Sequence, residues 1–178
     1  MSQRSSHDFP IFPHNTIREN GSTLKFSNVT LLELVIKRAQ KATLVDEVVV
    51  ATGERELNRE ISKICRQVNV RCIFGSEQNV LERFVNIAKS ANIHALVRVT
   101  GDCPFVGPDI IDEAISIFRT GCYDYVSNTS PPTYPDGLDI EVFSADAIIE
   151  TSLKATNVAH TEHVTTLLRK LPEYRNFN

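Results

Sequence analysis

The sequence has no apolar run that approaches the ~18 residues a membrane-spanning helix requires. Its first residues, Met1–Asp8, are polar and contain none of the apolar core of a secretory signal. From these two absences we expect a cytoplasmic protein that does not associate with membranes.

Neither paired cysteines nor an excess of one charge marks this chain. Its cysteines form no C-x-x-C pair, and we expect all of them to be reduced thiols that mostly fill buried space: Cys65, Cys72, Cys103 and Cys122. The 19 Lys and Arg residues nearly balance the 22 Asp and Glu residues, which leaves a formal net charge of −3. A nucleic-acid-binding or membrane-surface protein is therefore not expected.

Several common catalytic motifs are also missing. The sequence contains no G-x-G-x-x-G loop, no Walker phosphate loop, no G-x-S-x-G turn and no Cys/His spacing of a zinc site. These absences argue against a dehydrogenase, a P-loop enzyme and a serine hydrolase.

What the sequence does have is a regular alternation of strand and helix patterns. Its 178 residues, 42% of them hydrophobic, are enough for one domain that buries about 70% of its unfolded surface. The alternation predicts βαβ units, and hence a mainly parallel α/β sheet in three layers. The predicted strands are 47–51, 70–74, 95–99, 123–127 and 137–143; the predicted helices are one capped by Thr30, then 54–68, 77–91, 109–119, one from Ser144 to about 155, and 159–171.

The N-terminal segment 8–13, D-F-P-I-F-P, contains two prolines, which limit it to an edge strand or to no strand at all. Without a strand here, the neighbouring parallel strand would expose its hydrogen-bonding edge. We would then expect aggregation, or an oligomer such as a homodimer that covers the edge.

Three predicted strand ends carry small or polar residues: Thr52-Gly53, Gly75-Ser76 and Thr100-Gly101-Asp102. Open α/β sheets bind ligands at the edge where such carboxyl ends meet. Small residues there allow a base or a phosphate chain to approach closely, and Asp102 could hold Mg²⁺. A lone aspartate after a strand can also simply cap a turn.

Other polar residues leave more than one interpretation open. Asp139 and Glu141, two apart on a predicted strand, share a face and could bind a metal, bind sugar hydroxyls or act in acid–base chemistry, or form a solvated strand face. Arg83 is either a salt-bridge residue or an anion contact. His160 and His163 are one helical turn apart, but without a third ligand we favour a structural role over a metal site.

Six segments together resemble one family: the cytidylyltransferases of surface-polysaccharide biosynthesis, in particular the branch of spore coat polysaccharide biosynthesis proteins. That branch is related to the synthetases of CMP-sialic acid and CMP-ketodeoxyoctulosonate. The matching segments, which cover roughly residues 24–176, are Asp46–Thr52, Phe74–Ser76 with Asn79–Phe84, Val97–Pro104, Asp124–Asn128, Thr133–Phe143 and Glu162–Thr165.

The resemblance implies a Rossmann-like nucleotidyltransferase sandwich that binds CTP and a small sugar, and that uses Mg²⁺. It implies attack by a sugar oxygen on the α-phosphate of CTP, with release of pyrophosphate. It further implies a set of roles: Asp102 as metal ligand and catalytic residue with Asp139 and Glu141, and Arg18, Gly21, Ala51, Thr52, Arg83, Thr100 and Gly101 as nucleotide- or substrate-binding residues.

Two departures from the family pattern keep alternatives open. In the family's basic N-terminal loop, Ser22 stands in place of a lysine and Pro13 in place of an arginine, and the chain stops before a later aspartate-bearing segment. We therefore divide the chain into a divergent segment, 1–23, and a nucleotidyltransferase-like domain, 24–178, that is incomplete at its C-terminus. The alternatives to an active enzyme are a catalytically impaired binding or assembly subunit, and a truncated product without function.

Overall fold

A seven-stranded β-sheet lies at the centre of the molecule, and helices pack against both of its faces. The computed structural model describes residues 10–14, 23–26, 28–90 and 93–178. The strands are β1 (Pro10–His14), β2 (Lys25–Phe26), β3 (Val29–Thr30), β4 (Glu47–Thr52), β5 (Arg71–Phe74), β6 (Ala95–Thr100), β7 (Tyr125–Ser127), β8 (Glu141–Ser144) and β9 (Asn176–Phe177). The helices are α1 (Leu31–Ala39), α2 (Arg59–Gln67), α3 (Val80–Ser90), α4 (Pro108–Arg119), α5 (Ala145–Ser152), α6 (Val158–Glu162) and α7 (Thr166–Lys170). Within the described ranges, no helix is long and apolar enough to cross a membrane.

The strand order of the main sheet is β5-β4-β1-β6-β8-β7-β9. Strands β5, β4, β1 and β6 run parallel to one another, whereas β8 is antiparallel to both β6 and β7. Strand β9 is parallel to β7, and β2 pairs only with β3. The mainly parallel, three-layer α/β sheet predicted from the sequence is thus confirmed.

The central strands are buried because their side chains alternate between two apolar layers. Val48 and Val50 of β4 pack in the layer that contains α1, α2 and α4, whereas Val49 faces the layer of α3 and α5. In this second layer, Phe84 contacts Phe143 with ring centroids 6.2 Å apart. Each large apolar side chain buried in this way stabilises the fold by about 1.5–3 kcal/mol, so the two layers together hold the sheet in place.

Two helix starts follow the capping pattern predicted from the sequence. The Thr30 hydroxyl accepts a hydrogen bond from the Glu33 N–H over 3.2 Å at the start of α1. The Ser144 hydroxyl accepts from the Ala147 N–H over 3.3 Å at the start of α5. A side chain in this position satisfies an N–H group that has no partner inside the helix.

The prediction for the N-terminal segment is wrong. Strand β1 lies inside the sheet, with β4 on one side and β6 on the other, so it is neither an edge strand nor irregular. Each proline removes only one N–H donor, and Pro10 is the first residue of the strand, where a proline is tolerated. Because β1 fills this position, the open edge that led us to expect oligomerisation is not present between β4 and β6.

Three predicted elements differ most from the structure in their limits. The helix predicted for 159–171 is two short helices, separated where His163 leaves helical geometry with φ −100° and ψ 88°. The helix predicted from residue 54 begins only at Arg59, because Asn58 Nδ2 donates to the Glu54 carbonyl and stabilises a turn first. The strand predicted for 137–143 is limited to β8, so Asp139 precedes the strand.

Candidate active site

A cavity of about 280 Å³ opens at the carboxyl end of β6, between the sheet and the α6–α7 segment. Its lining combines three carboxylates, three basic side chains and several hydroxyl groups: Arg98, Thr100, Asp102, Thr129, Asp139, Glu141, His163, Thr165 and Arg169, together with the apolar Val164. The structure therefore brings together Thr100, Asp102, Asp139 and Glu141, which the sequence analysis had selected.

The chain leaves β6 through a turn that presents Asp102 to the cavity. The Cys103 N–H donates to the Thr100 carbonyl over 3.1 Å, and the Cys103 thiol lies 2.9 Å from the Thr100 hydroxyl. From α1, Arg38 donates to the carbonyls of residues 105–106, each over 3.0 Å. These bonds fix the backbone on both sides of Asp102.

The loop 128–140, which carries Asp139, is held in shape by one buried asparagine. Asn128 Nδ2 donates to the Leu138 carbonyl over 2.8 Å, and Asn128 Oδ1 accepts from the Ile140 N–H over 2.9 Å. A single side chain thus ties the beginning of the loop to its end.

Asp139 lies in a region of negative potential. Burial raises the pKa of the Asp139 carboxyl, and the neighbouring charges of Asp136, Glu141 and Asp102 raise it further, while the charge of Arg98 acts in the opposite direction. Grouped carboxylates of this kind favour a bound cation, because the cation relieves their mutual repulsion.

Glu141 is buried and already has three hydrogen-bond donors. Its carboxylate accepts one hydrogen bond of 2.6 Å from the Tyr125 hydroxyl and another of 2.6 Å from the Thr165 hydroxyl. It accepts a third from Arg98 Nη1. Burial alone would raise the pKa of Glu141, but the charge of Arg98 and the hydroxyl donors outweigh it and hold the pKa below its ordinary value. Glu141 is therefore an ionised carboxylate with its counterion in place.

Arg98 is the partner of Glu141 in the register of β6 with β8. Its side chain is 17% exposed and lines the cavity, and one of its nitrogens, Nε, is buried with no acceptor among the described residues. A guanidinium offers five N–H donors in a rigid planar fork, so the bond to Glu141 uses only part of its capacity.

The other strand-end candidates lie beside the cavity rather than in its lining. Ala51 and Thr100 both pair with His14, so one strand separates them. Thr52 is fully buried, and its hydroxyl donates to Asn58 Oδ1 over 3.0 Å. Gly101 is buried in the turn before Asp102. Ala51, Thr52 and Gly101 thus lie near the carboxyl ends of β4 and β6, outside the lining of the cavity.

Arg83 is a buried cation with unused donors. The residue is 3% exposed, and its Nε and Nη1 find no acceptor among the described residues. Burial lowers the pKa of Arg83 to about 10, although the charge of Glu77 acts against that shift. Its stem crosses Gly75 so closely that a Cβ atom there would lie 2.7 Å from Arg83 Cγ. The glycine at this strand end therefore makes room for Arg83.

The remaining candidates divide into residues outside the described ranges and residues with local partners. Arg18 and Gly21 lie outside the described residues. His160 Nδ1 accepts from the Thr156 N–H over 3.3 Å, which gives it a structural role, whereas His163 lines the cavity. No group of three or more His, Cys, Asp or Glu side chains in the part of the chain described here could hold a metal ion unaided.

Five polar residues of this site were not predicted from the sequence: Arg98, Tyr125, Thr129, Thr165 and Arg169. One signal was present, because an arginine inside an otherwise apolar strand requires a buried partner. Glu141, on the last predicted strand, 137–143, was a carboxylate available for that role. No local pattern indicated that Thr165 and Arg169 would reach the same cavity.

Comparison with known proteins shows a family relationship along most of the chain. Residues 22–175 match the family described as cytidylyltransferase. The spore coat polysaccharide biosynthesis protein SpsF of Bacillus subtilis is 32% identical over 149 residues, which cover 80% of this chain and 60% of SpsF. An uncharacterized protein of Methanocaldococcus jannaschii is 31% identical over 154 residues, which cover 86% of this chain and 62% of that protein.

A solved structure with the same fold supports the topology. A cytidylyltransferase from Leptospira borgpetersenii superposes with a TM-score of 0.87 at 22% identity, covering 98% of this chain and 75% of its own. The matched part of this chain spans about three-fifths of the length of SpsF and of the Methanocaldococcus jannaschii protein. The resemblance found in the sequence is confirmed by these matches.

Proposed function

The chain belongs to the cytidylyltransferase family, and from this premise we propose that it transfers the cytidylyl group of CTP to a sugar hydroxyl and releases pyrophosphate. The observation that carries the proposal is the cavity at the end of β6, where Asp102 and Asp139 stand beside Arg98 and Arg169. Nucleotidyl transfer requires both a carboxylate for a cation and positive groups for phosphate oxygens.

The proposed reaction is one in-line displacement. The acceptor oxygen forms a bond to the α-phosphorus, while the bond from that phosphorus to the oxygen bridging the β-phosphate breaks. Pyrophosphate leaves with the electron pair, and the proton of the acceptor hydroxyl passes to solvent. Such a reaction leaves the protein mainly the tasks of positioning the reactants and stabilising charge.

We assign a divalent cation, Mg²⁺, to Asp102, with Asp139 adding to the negative potential of the site. Mg²⁺ is suited to this donor set because it binds through one or two carboxylates and completes its shell with waters and substrate phosphates. The carboxylates around Asp139, which raise the pKa of that residue, support a cation at this place. When bound, the cation would neutralise charge on the phosphate oxygens.

For the nucleotide we propose the adjoining sheet edge. Ala51, Thr52, Thr100 and Gly101 lie at the carboxyl ends of β4 and β6, where their small side chains would allow a base or a phosphate chain to approach closely. Arg83 is assigned to the nucleotide because its buried, unpartnered nitrogens require an acceptor that the described residues do not supply. By resemblance to the family loop, Arg18 and Gly21 are assigned to the triphosphate.

The relationship to SpsF supports a sugar of surface-polysaccharide biosynthesis as the acceptor. A pyrophosphate-release assay with CTP and a panel of neutral and acidic sugars tests the function, with Asp102→Asn as the inactive comparison and Asp146→Asn, an exposed aspartate on α5, as the matched control. We expect Mg²⁺-dependent release by the wild type and by Asp146→Asn, reduced at least about 100-fold in Asp102→Asn.

Folded protein that binds CTP but releases no pyrophosphate with any acceptor would refute the transferase function. That result would favour the alternative of a binding or assembly subunit.

A further inference from the structure

Glu141 is the best-connected side chain of the cavity, and its bonds come from three different elements. Arg98 belongs to β6, Tyr125 to β7, and Thr165 directly precedes α7. A carboxylate has about four lone-pair positions. Three donors to a residue that is only 3% exposed leave Glu141 poorly placed to act on a substrate or a cation itself.

The contacts of Glu141 instead determine where two arginines stand. The bond to Arg98 holds one guanidinium at the cavity wall. The bond from Thr165 anchors the first turn of α7, and the Arg169 N–H donates to the Thr165 carbonyl over 3.0 Å, so Arg169 is one turn away on the same helix. Both arginines line the cavity.

The two arginines have donor capacity that the described protein does not use. Arg98 donates a hydrogen bond to Glu141 through Nη1, and its Nε has no acceptor among the described residues. No carboxylate in the described part of the chain forms a salt bridge with Arg169. Carboxylate and phosphate groups are the oxyanions that such forked donors bind best, because two of their oxygens can accept in parallel.

We propose that Arg98 and Arg169 form an oxyanion site for a substrate of this cavity, and that Glu141 is the positioning residue that holds Arg98 in place for it. The proposal rests on the proposed function for the identity of the substrates, since the oxyanion is either a phosphate of CTP or an anionic group on the acceptor. Because Glu141 fixes the guanidinium before the ligand arrives, little side-chain freedom is lost on binding.

Calorimetric titration distinguishes the two sources of the oxyanion. The probes are Mg²⁺–CTP for the nucleotide, and glucuronate or glucose 6-phosphate in the presence of CMP for the acceptor, with glucose as the uncharged comparison. The variants are Arg98→Lys, Arg169→Lys and Glu141→Gln, and the matched control is Arg66→Lys on α2, remote from the cavity lining. Circular dichroism and thermal unfolding verify that each variant is folded.

We expect Arg98→Lys and Arg169→Lys to weaken one class of probe by about tenfold or more, because a lysine cannot form the forked pair. Loss of CTP affinity assigns the site to the nucleotide, and loss restricted to a sugar anion assigns it to the acceptor. Glu141→Gln should weaken the same probe, and the double variant Arg98→Lys/Glu141→Gln should bind no more weakly than the worse single variant.

Unchanged binding of all probes by the folded arginine variants would overturn the proposal while leaving the transferase function intact. Strictly additive losses in the double variant would overturn the positioning role of Glu141. If Glu141→Gln does not fold, Tyr125→Phe removes one donor from the same carboxylate and should produce a smaller loss for the same probe. Wild-type protein that binds a sugar anion through Arg98 but not CTP would refute the proposed function alone.

Discussion

Two arginines in this chain have buried nitrogens without an acceptor among the described residues: Nε and Nη1 of Arg83, and Nε of Arg98. An unsatisfied buried donor costs about 1–3 kcal/mol of stability. Both residues lie at the carboxyl side of the parallel strands, where ligands of such sheets bind. We interpret this cost as the consequence of keeping donors available for a ligand.

Asp112 shows the opposite case, a carboxylate with all its partners inside the protein. It accepts from the Thr43 N–H, the Thr43 hydroxyl and the Leu44 N–H over 2.9, 2.8 and 2.9 Å, which ties α4 to the chain after α1. Although burial acts to raise it, the pKa of Asp112 is held below its ordinary value by these donors.

Replacement of Asp112 therefore affects stability in a pH-dependent way. Asp112→Ala should lower the free energy of unfolding by about 2 kcal/mol at pH 7, because three hydrogen bonds are lost. Since the folded-state pKa is depressed, the stabilisation is present above the ordinary carboxyl pKa of about 4 and is lost as pH falls through the folded value. Urea unfolding at pH 7 and pH 3 measures the loss in free energy of unfolding caused by Asp112→Ala. Glu113→Ala, at an exposed position of the same helix, is the control. An equal loss at both pH values would contradict the account.

Single site residues could be predicted from the sequence only where their neighbours along the chain carried the signal. Asp102 could be selected because an apolar strand and two small residues precede it. The hydrogen-bonding role of Glu141 could not be predicted in this way. Its partners Arg98 and Thr165 lie 43 and 24 positions away and contact it only through strand register and helix placement. The same limitation hid Arg169.

Among the elements, β1 is the clearest case in which tertiary context overrides local preference. Its two prolines argue against an interior strand, yet β4 and β6 each supply partners for the remaining backbone groups. The apolar strands, by contrast, were predicted to within two residues, because burial on both faces leaves a long apolar run. Helix α7 was merged with α6 in the prediction, because helical periodicity continues across the break at His163.

The loop 128–140 provides an element-scale test, because it depends on a backbone conformation that favours glycine. Gly137 has φ +90°, and a Cβ atom there would lie 3.1 Å from Phe105 Cδ2. Gly121 has φ +73°, but a Cβ atom there would meet no atom within 4 Å. Gly137→Ala should therefore combine backbone strain with a side-chain clash, whereas Gly121→Ala carries the strain alone.

Thermal unfolding of both variants separates the two contributions. We expect Gly121→Ala to cost about 1 kcal/mol and Gly137→Ala to cost more, with an additional fall in CTP turnover, because Phe105 and Gly137 connect the loops of Asp102 and Asp139. Equal stability and equal turnover in the two variants would show that the contact with Phe105 does not matter.

At the scale of the whole molecule, one sheet edge brings together the candidate site residues Thr52, Thr100, Asp102 and Asp139. The parallel order β5-β4-β1-β6 places the strand ends of Thr52 and Thr100 on the same side, and the antiparallel β8 brings the Asp139 loop to that side as well. The fold class was predictable from the alternation of strands and helices. That Asp102 and Asp139 lie in one cavity was not predictable from the sequence, because it depends on the reversal of strand direction at β8.

The most direct test of the account is calorimetric titration of the wild type and Asp102→Asn with CTP, with and without Mg²⁺. We expect binding by the wild type that requires Mg²⁺, and at least about tenfold weaker binding by Asp102→Asn, because the proposed cation ligand is lost. Folded protein that does not bind CTP, or that binds it equally well without Mg²⁺ and without the Asp102 carboxylate, would contradict the assignment of this cavity as the nucleotide site.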